Sequence, residues 1–256
     1  MTPPRLTVVI PTYNAGAFLR PAVLSALNAE LEGGHEVLVV DDGSTDGSAR
    51  TLDDLGVRVV HQENAGEAAA RNAGVRAAAG RLVTFLDADD LLEPYGLAPR
   101  AAVLEAGAGL SAVGGLPSSL IDARGGLLAP VLEPMSAKLS FPMTLTLDDY
   151  REGRFFPVSC SLYVYRREAF DRAGFYDETL AAAPDADFHF RLLALGGIPI
   201  LRSGAFARRL HGRNLSLSAG GRVPAFKPEI LDAIRTVNER HGLAPAEITP
   251  WEADYL

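Results

Sequence analysis

Asp87-Ala88-Asp89-Asp90 is a knot of carboxylates that abruptly closes the apolar run of residues 82–86. If the chain stays extended through Asp87-Ala88-Asp89, the two outer side chains leave on the same side, and their hard oxygen donors suit Mg²⁺ or Mn²⁺. The same residues also serve as a helix N-cap or a solvated turn, so the motif alone assigns nothing. Three further polar clusters follow apolar runs. Pro11-Thr12-Tyr13-Asn14 offers a hydroxyl, an aromatic face and an amide, a set that suits a planar base. Asp41 and Asp42 could accept from a pyrimidine N3–H or a ribose hydroxyl. Asn64-Ala65-Gly66 is followed by Arg71-Asn72, where Arg71 could reach a base or a pyrophosphate. Taken singly, each of these is equally a turn or a cap.

The elements that must position these clusters alternate in period. Residues 6–10 form a β-branched run, and Phe18, Leu19, Ala22, Val23, Ala26 and Leu27 then recur at helical spacing. Residues 37–40 read as a second buried strand. A helix is expected next, capped by Ser44, Thr45 or Asp46 and running to about Leu55. Residues 57–60 give a third strand, and 66–79 an Ala-rich helix that Gly80 stops before the strand at 82. The order βαβαβαβ implies a parallel sheet with right-handed crossovers, in which ligands bind at the carboxyl ends of the strands. All four polar clusters lie at such ends, so the geometry brings them together.

With 256 residues, 48% of them hydrophobic and 22% charged, one large α/β domain with extensions is expected. The net charge of -8 argues against a nucleic-acid groove, which needs a basic stripe. Cys160 is the single cysteine; it excludes an internal disulfide framework and reads as a small buried hydrophobe in a reducing compartment. No signal-peptide core opens the chain, and no apolar run approaches the roughly 20 residues of a membrane span, so a soluble, cytoplasmic protein is expected.

Four motifs in order, Val8-Val9-Ile10-Pro11-Thr12-Tyr13-Asn14, Val39-Val40-Asp41-Asp42-Gly43-Ser44-Thr45-Asp46, Ala70-Arg71-Asn72-Ala73-Gly74 and Phe85-Leu86-Asp87-Ala88-Asp89-Asp90, resemble the family-two inverting glycosyltransferases of GT-A fold. The resemblance is dense over the first hundred residues and traceable to about Ser218. It implies one Rossmann-like GT-A domain, with a mostly parallel central sheet flanked by helices and a C-terminal acceptor-side extension. Residues 1–115 would be the donor half, 116–222 the acceptor and catalytic-base half, and 223–256 a C-terminal helix and tail. The resemblance also implies that Pro11, Thr12, Tyr13, Asn14, Asp41, Arg71, Asp87 and Ala88 bind a nucleotide sugar, with Asp41 on the base edge and Asp87 nearer the ribose or sugar. Asp89 would be the direct metal ligand, joined by Asp87 and His211, and Asp42 would brace the loop. Independently of family, a divalent cation stabilises the negative charge that develops on a leaving diphosphate.

The second half is less regular. Residues 110–113 look like a strand. From 114 to about 147 Pro117, Gly125-Gly126, Pro130, Pro134 and Pro142 punctuate the chain, and a mobile acceptor-facing segment and an irregular β excursion both stay open. Residues 158–165 alternate with period two and lead into a short helix before Gly174-Phe175-Tyr176-Asp177. Pro184-Asp185-Ala186-Asp187 resembles the family's Glu-Asp helix start, and alignment through Arg191 puts Asp185 at the general-base position. Inverting transfer needs one base and no covalent nucleophile. Pro184 suits a first helical position but replaces the family's acidic neighbour. Residues 198–201 form a short strand. Arg208-Arg209-Leu210-His211 resembles a segment that closes over the donor, with Arg208, Arg209 or Arg213 available to clamp phosphate. His35, His61, His189 and His241 receive no role. Residues 227–240 form an amphipathic helix for packing or dimer contact, and Trp251 and Tyr255 hint that the tail docks.

The expected activity is therefore Mn²⁺- or Mg²⁺-assisted, inverting transfer of a sugar from a UDP- or dTDP-linked donor. The acceptor would be a hydroxyl of a glycan, a lipid-linked molecule or a small molecule, with peripheral membrane contact and a homodimer left open. Two alternatives compete: a catalytically silent nucleotide-sugar binding protein, and an Asp-x-Asp phosphohydrolase, which leaves Thr12, Asp41 and Arg71 unexplained. A dinucleotide dehydrogenase is disfavoured because the first strand lacks G-x-G-x-x-G.

Overall fold

The computed structural model describes residues 3–132, 141–151, 159–180, 182–214, 217–218, 225–226 and 228–242. In chain order the elements are β1 (Leu6–Thr12), α1 (Leu19–Leu27), β2 (His35–Asp41), β3 (Arg58–His61), α2 (Glu67–Ala77), β4 (Leu82–Phe85), β5 (Leu91–Leu92), α3 (Leu97–Ala106), β6 (Ala112–Leu116), β7 (Ser119–Ile121), β8 (Leu127–Pro130) and β9 (Met143–Leu145). They continue with α4 (Leu147–Arg151), β10 (Tyr163–Arg166), α5 (Glu168–Ala173), α6 (Pro184–Leu193), β11 (Ile198–Gly204), β12 (Phe206–Arg209), β13 (Leu217–Ser218), β14 (Ala225–Phe226) and α7 (Pro228–Arg240).

The central sheet has eight strands in the order β3-β2-β1-β4-β10-β6-β11-β9, and β3, β2, β1 and β4 run parallel as expected. β1 is buried along its whole length, so it reads as a continuous apolar run. It extends through Pro11 because that position needs no ladder bond. The Val9 carbonyl faces β4, accepting from Leu86 N, and the Thr12 carbonyl faces β2, accepting from Asp42 N. Alternation turns Pro11 toward β4, where the pairing has already stopped at Val9 opposite Phe85. α2 lies close against this sheet: a Cβ on Gly74 would stand 2.2 Å from Val9 Cγ1, so only glycine permits the approach.

β10 comes from the second half of the chain yet sits between β4 and β6, antiparallel to both. A smaller sheet, β5-β12-β7-β8, packs beside the large one, and only Ala205 separates β11 in the first from β12 in the second. That crossing brings residues 209–214 against the acids that follow β4.

Three expectations change. The helix expected to run from about 44 to Leu55 is only a 3-10 turn, Ser48–Leu52. Gly43 and Gly47 both adopt positive φ (78° and 75°), and Asp46 Oδ1 accepts from Ser48 N (2.9 Å) and Oγ (2.6 Å), which favours a turn over an α-helical start. Of the two readings left open for 114–147, the described part is a β excursion, β7 to β9; residues 133–140 lie outside the described residues. The strand expected over 158–165 begins only at Tyr163. Cys160–Leu162 forms a 3-10 turn capped by the Ser159 hydroxyl, and Val158 lies outside the described residues. Trp251 and Tyr255 also lie outside them. Among the described residues, no helix is long and apolar enough to cross a membrane.

Candidate active site

At the mouth of β1 and β2, Thr12 and Asp41 are register partners. The Thr12 hydroxyl is buried and has no hydrogen-bond partner among the described residues. Tyr13, the first residue beyond β1, is 54% exposed, so its ring is available for stacking. Asn14 takes a positive φ of 50°, and its Oδ1 accepts from Thr45 N (2.8 Å) and Asp46 N (3.2 Å). That side-chain oxygen thus ties two loops together. Asp41 Oδ1 accepts from Ser44 N at 3.0 Å, while Oδ2 lies 3.0 Å from His61 Nδ1. Asp42 turns away and braces the next loop, accepting from Gln62 Nε2 (2.7 Å), Ala65 N (2.9 Å) and Gly66 N (2.9 Å).

The Arg71-Asn72 pair divides its work. One Arg71 terminal nitrogen donates to Glu67 Oε1 (2.6 Å) and to Asp87 Oδ1 (3.1 Å), with the side chain only 3% exposed. Its guanidinium lies 5.7 Å from the centre of the Tyr176 ring, and its Nε is buried without a partner among the described residues. Asn72 instead clamps the later turn: its Nδ2 donates to the Tyr176 carbonyl (2.9 Å) and Glu178 Oε1 (2.7 Å), and its Oδ1 accepts from Tyr176 N (2.9 Å).

The three acids after β4 diverge. Asp87 faces Arg71; burial raises its carboxyl pKa, Arg71 opposes the rise, and Glu67 and Asp89 add to it. Asp89 Oδ2 lies 2.9 Å from His211 Nε2 and 3.3 Å from Asn214 Nδ2. Asp90 is structural: its Oδ1 accepts from Arg209 N at 2.8 Å, and burial beside Asp89 pushes its carboxyl well above the usual range. Ala88, between them, is partly buried against the core. The His211 ring stacks on Phe18 with centroids 4.5 Å apart, and the Arg209 and Arg213 guanidiniums lie 5.3 and 5.4 Å from the same phenyl centre. The loop after β1 and the segment after β12 are thereby joined around a patch of cations.

The donor set bears on which residues could hold a cation. Among the described residues, no three His, Cys, Asp or Glu side chains are gathered to hold a metal, so the expected trio of Asp87, Asp89 and His211 is not assembled. Asp87 is drawn off by Arg71. Asp89 and His211 do converge, and a hard divalent cation commonly takes only one or two protein ligands and fills its shell with phosphate oxygens and water. These two residues fit such a site.

The remaining acid comes from α6. Ala183 enters the helix with φ 53°, a left-handed conformation costly for a residue with a Cβ, and Pro184 takes the first turn. Asp185 is part-buried within electrostatic reach of Arg71, Glu67 and Asp87. Burial pushes its carboxyl up to about 7; Arg71 opposes the rise, and Glu67 and Asp87 add to it. Asp187, two residues on, goes elsewhere: it is buried and accepts from Arg191 Nε (2.9 Å), and it meets His241 Nε2 of the chain after α7 at 2.9 Å. Arg191 also donates to the carbonyls of Ala173, Gly174 and Phe175, fixing α6 to the turn that Asn72 holds.

Sequence reasoning passes over Glu67, Phe18, His61 and His241. Glu67 carries a signal, since it lies one helical turn before Arg71 and the i,i+4 spacing puts an acid beside that cation. Phe18 reads only as an apolar position. His61 and His241 carry none, because their partners Asp41 and Asp187 are remote in the chain.

The family model described as Glycosyl transferase family 2 matches residues 7–174. The uncharacterized glycosyltransferase EpsJ of Bacillus subtilis is 32% identical over 193 residues, covering 73% of this chain and 55% of that relative. The uncharacterized glycosyltransferase alr2836 of Nostoc sp. is 29% identical over 242 residues, covering 92% and 74%. The chain thus spans little more than half the length of EpsJ. The crystal structure of S. aureus TarS residues 1–349 superposes with a TM-score of 0.62 at 22% identity, over 80% of this chain and 60% of that one, which is a likeness of fold. Since every one of the four strand-end motifs falls inside the matched segment, and the sheet that carries them is of GT-A type, the chain belongs to glycosyl transferase family 2.

Proposed function

We propose that this chain transfers a sugar from a nucleoside-diphosphate donor, UDP- or dTDP-linked, to an acceptor hydroxyl with inversion, using Asp185 as the general base. The observation that carries the reading is Asp185 itself: a carboxyl held at about 7, within reach of the Arg71 and Asp87 pair at the strand ends. A base poised near the working pH is unprotonated often enough to act and basic enough to take a proton. S. aureus TarS, whose fold this chain shares, has been crystallised in complex with UDP and with UDP-GlcNAc, which supports a uridine donor here.

In this reading the base stacks on Tyr13 and its edge meets Asp41 beside Thr12. The diphosphate lies by Arg209 and Arg213, whose positive charge stabilises it. Asp185 takes the acceptor hydroxyl's proton while that oxygen attacks the anomeric carbon from the face opposite the diphosphate. The glycosidic C–O bond breaks and its electron pair leaves with the nucleoside diphosphate. A Mg²⁺ or Mn²⁺ ion held by Asp89 and His211 would act there as a Lewis acid. The single cysteine, buried and unpaired, suits a reducing, cytoplasmic setting.

The test is calorimetric titration with UDP, dTDP and GDP, with and without Mn²⁺, followed by an assay of nucleotide release from the matching sugar donors over a panel of acceptor alcohols. Binding of UDP or dTDP with turnover by the wild type and none by Asp185→Asn is expected. Tight binding with no turnover on any acceptor would favour the silent binding protein. No nucleotide binding would overturn the proposal.

A further inference from the structure

We infer that the sugar accepted here carries no carboxylate, and that Glu67 is the residue that enforces this choice. The inference deepens the donor reading above and rests on it. Glu67 Oε1 and Asp87 Oδ1 lie 2.6 and 3.1 Å from the same Arg71 nitrogen, so one buried guanidinium already stands between two carboxylates. Asp185 feels both acids, and the other cation that Asp87 feels is Arg208. With Asp185 ionised, three carboxylates share this corner of the crevice. A uronate would bring a fourth into a poorly screened space, where like charges repel strongly.

A neutral hexose or N-acetylhexosamine meets the same groups favourably. Its hydroxyl protons suit the carboxylate acceptors. Its hydroxyl or acetamido oxygens suit Arg71 Nε, a buried donor that has no acceptor among the described residues. A sugar carboxylate could also accept from Nε, but the Arg71 charge is already compensated by Glu67 and Asp87, so that contact would not offset the repulsion. Glu67 is the controlling acid because its side chain is 41% exposed at the first position of α2, at the rim of the group, where it occupies the nitrogen that would otherwise receive a ligand carboxylate.

The test is calorimetry on the full chain in Mn²⁺, wild type and Glu67→Gln, with UDP, UDP-glucose, UDP-GlcNAc and UDP-glucuronate. In the wild type, UDP-glucuronate should bind at least about tenfold more weakly than the tighter of the two neutral donors. In Glu67→Gln that gap should shrink to roughly threefold. Equal binding of glucuronate and neutral donors to the wild type would overturn the inference. A gap that survives intact in Glu67→Gln would overturn the assignment to Glu67. If the nucleotide reading itself is wrong, UDP alone, which has no sugar, fails along with the sugar donors.

Discussion

His211 lies 2.9 Å from Asp89, although 122 residues separate them in the chain. The contact exists because β12 starts one residue after β11 leaves the large sheet, and because Asp90 captures the Arg209 amide and so sets the register of the segment that follows. Phe18, stacked on the imidazole, ties this junction to the loop after β1.

Asp89→Asn and His211→Ala should therefore each weaken UDP binding in Mn²⁺ by at least about tenfold, and leave binding without Mn²⁺ nearly unchanged. Calorimetry at matched ionic strength checks this. An unaltered Mn²⁺ dependence in both variants would remove the pair from the cation site.

Asp185 gives a pH signature of two kinds. Its carboxyl sits at about 7 against an ordinary value of 3.8, so between those pH values the folded chain keeps a proton that the unfolded chain has released. Stability contributed at this position therefore falls as pH rises from about 4 to about 7, and the cost is complete above that window. Asp185→Asn should be more stable than the wild type at pH 8 by on the order of 1–2 kcal/mol, with the difference vanishing near pH 4. Over the same window the wild-type transfer rate should climb as the base deprotonates, while the variant shows no transfer at any pH. Chemical denaturation and initial rates across pH 4–9 test both halves.

Asp187 is a structural acid next door to the proposed base. Asp187→Ala would leave Arg191 and His241 facing an empty acceptor position and should destabilise the fold by about 3 kcal/mol. His241→Ala should cost about 1 kcal/mol. UDP affinity should be kept in both. Urea unfolding alongside UDP titration separates this outcome from a role in the donor site, which would show as lost affinity at unchanged stability.

Tyr13→Ala removes an exposed ring that packs little, so the unfolding midpoint should barely move. Nucleotide affinity should drop roughly tenfold, by the amount that one base–aromatic stack contributes. The loss should be equal for UDP and for every UDP-sugar; a loss confined to one sugar would contradict stacking on the base.

The parallel half of the fold is legible in the sequence because β1, β2 and β4 are largely buried on both faces and a polar cluster follows each of them, as at residues 6–14 and 37–44. Periodicity also marks α7. It fails at 44–55, where Gly43 and Gly47 carry the conformational decision and residue spacing does not. It fails again before Tyr163, where the alternation of residue types runs on through a 3-10 turn whose residues are all buried. Within the site, Arg71, Asp87, Asp89 and His211 are nameable from their motifs, but who faces whom is not. That Asp87 pairs with Arg71 and leaves Asp89 to His211 depends on the approach of α2 to the sheet, set by the absent side chain of Gly74. The roles of His61 and His241 rest on contacts between remote segments, and local pattern holds no trace of these.

β10 bears on how chains of this family can be recombined. Its two neighbours, β4 and β6, both precede residue 117, so a strand encoded far downstream completes the sheet that the opening residues begin. A chimaera cut near residue 115 would inherit a sheet with a missing middle rail, exposing the ladder edges of β4 and β6 to aggregation. The β7–β8 hairpin, which hangs from the rim of the smaller sheet, can be exchanged between relatives with every rail of the larger one left in place.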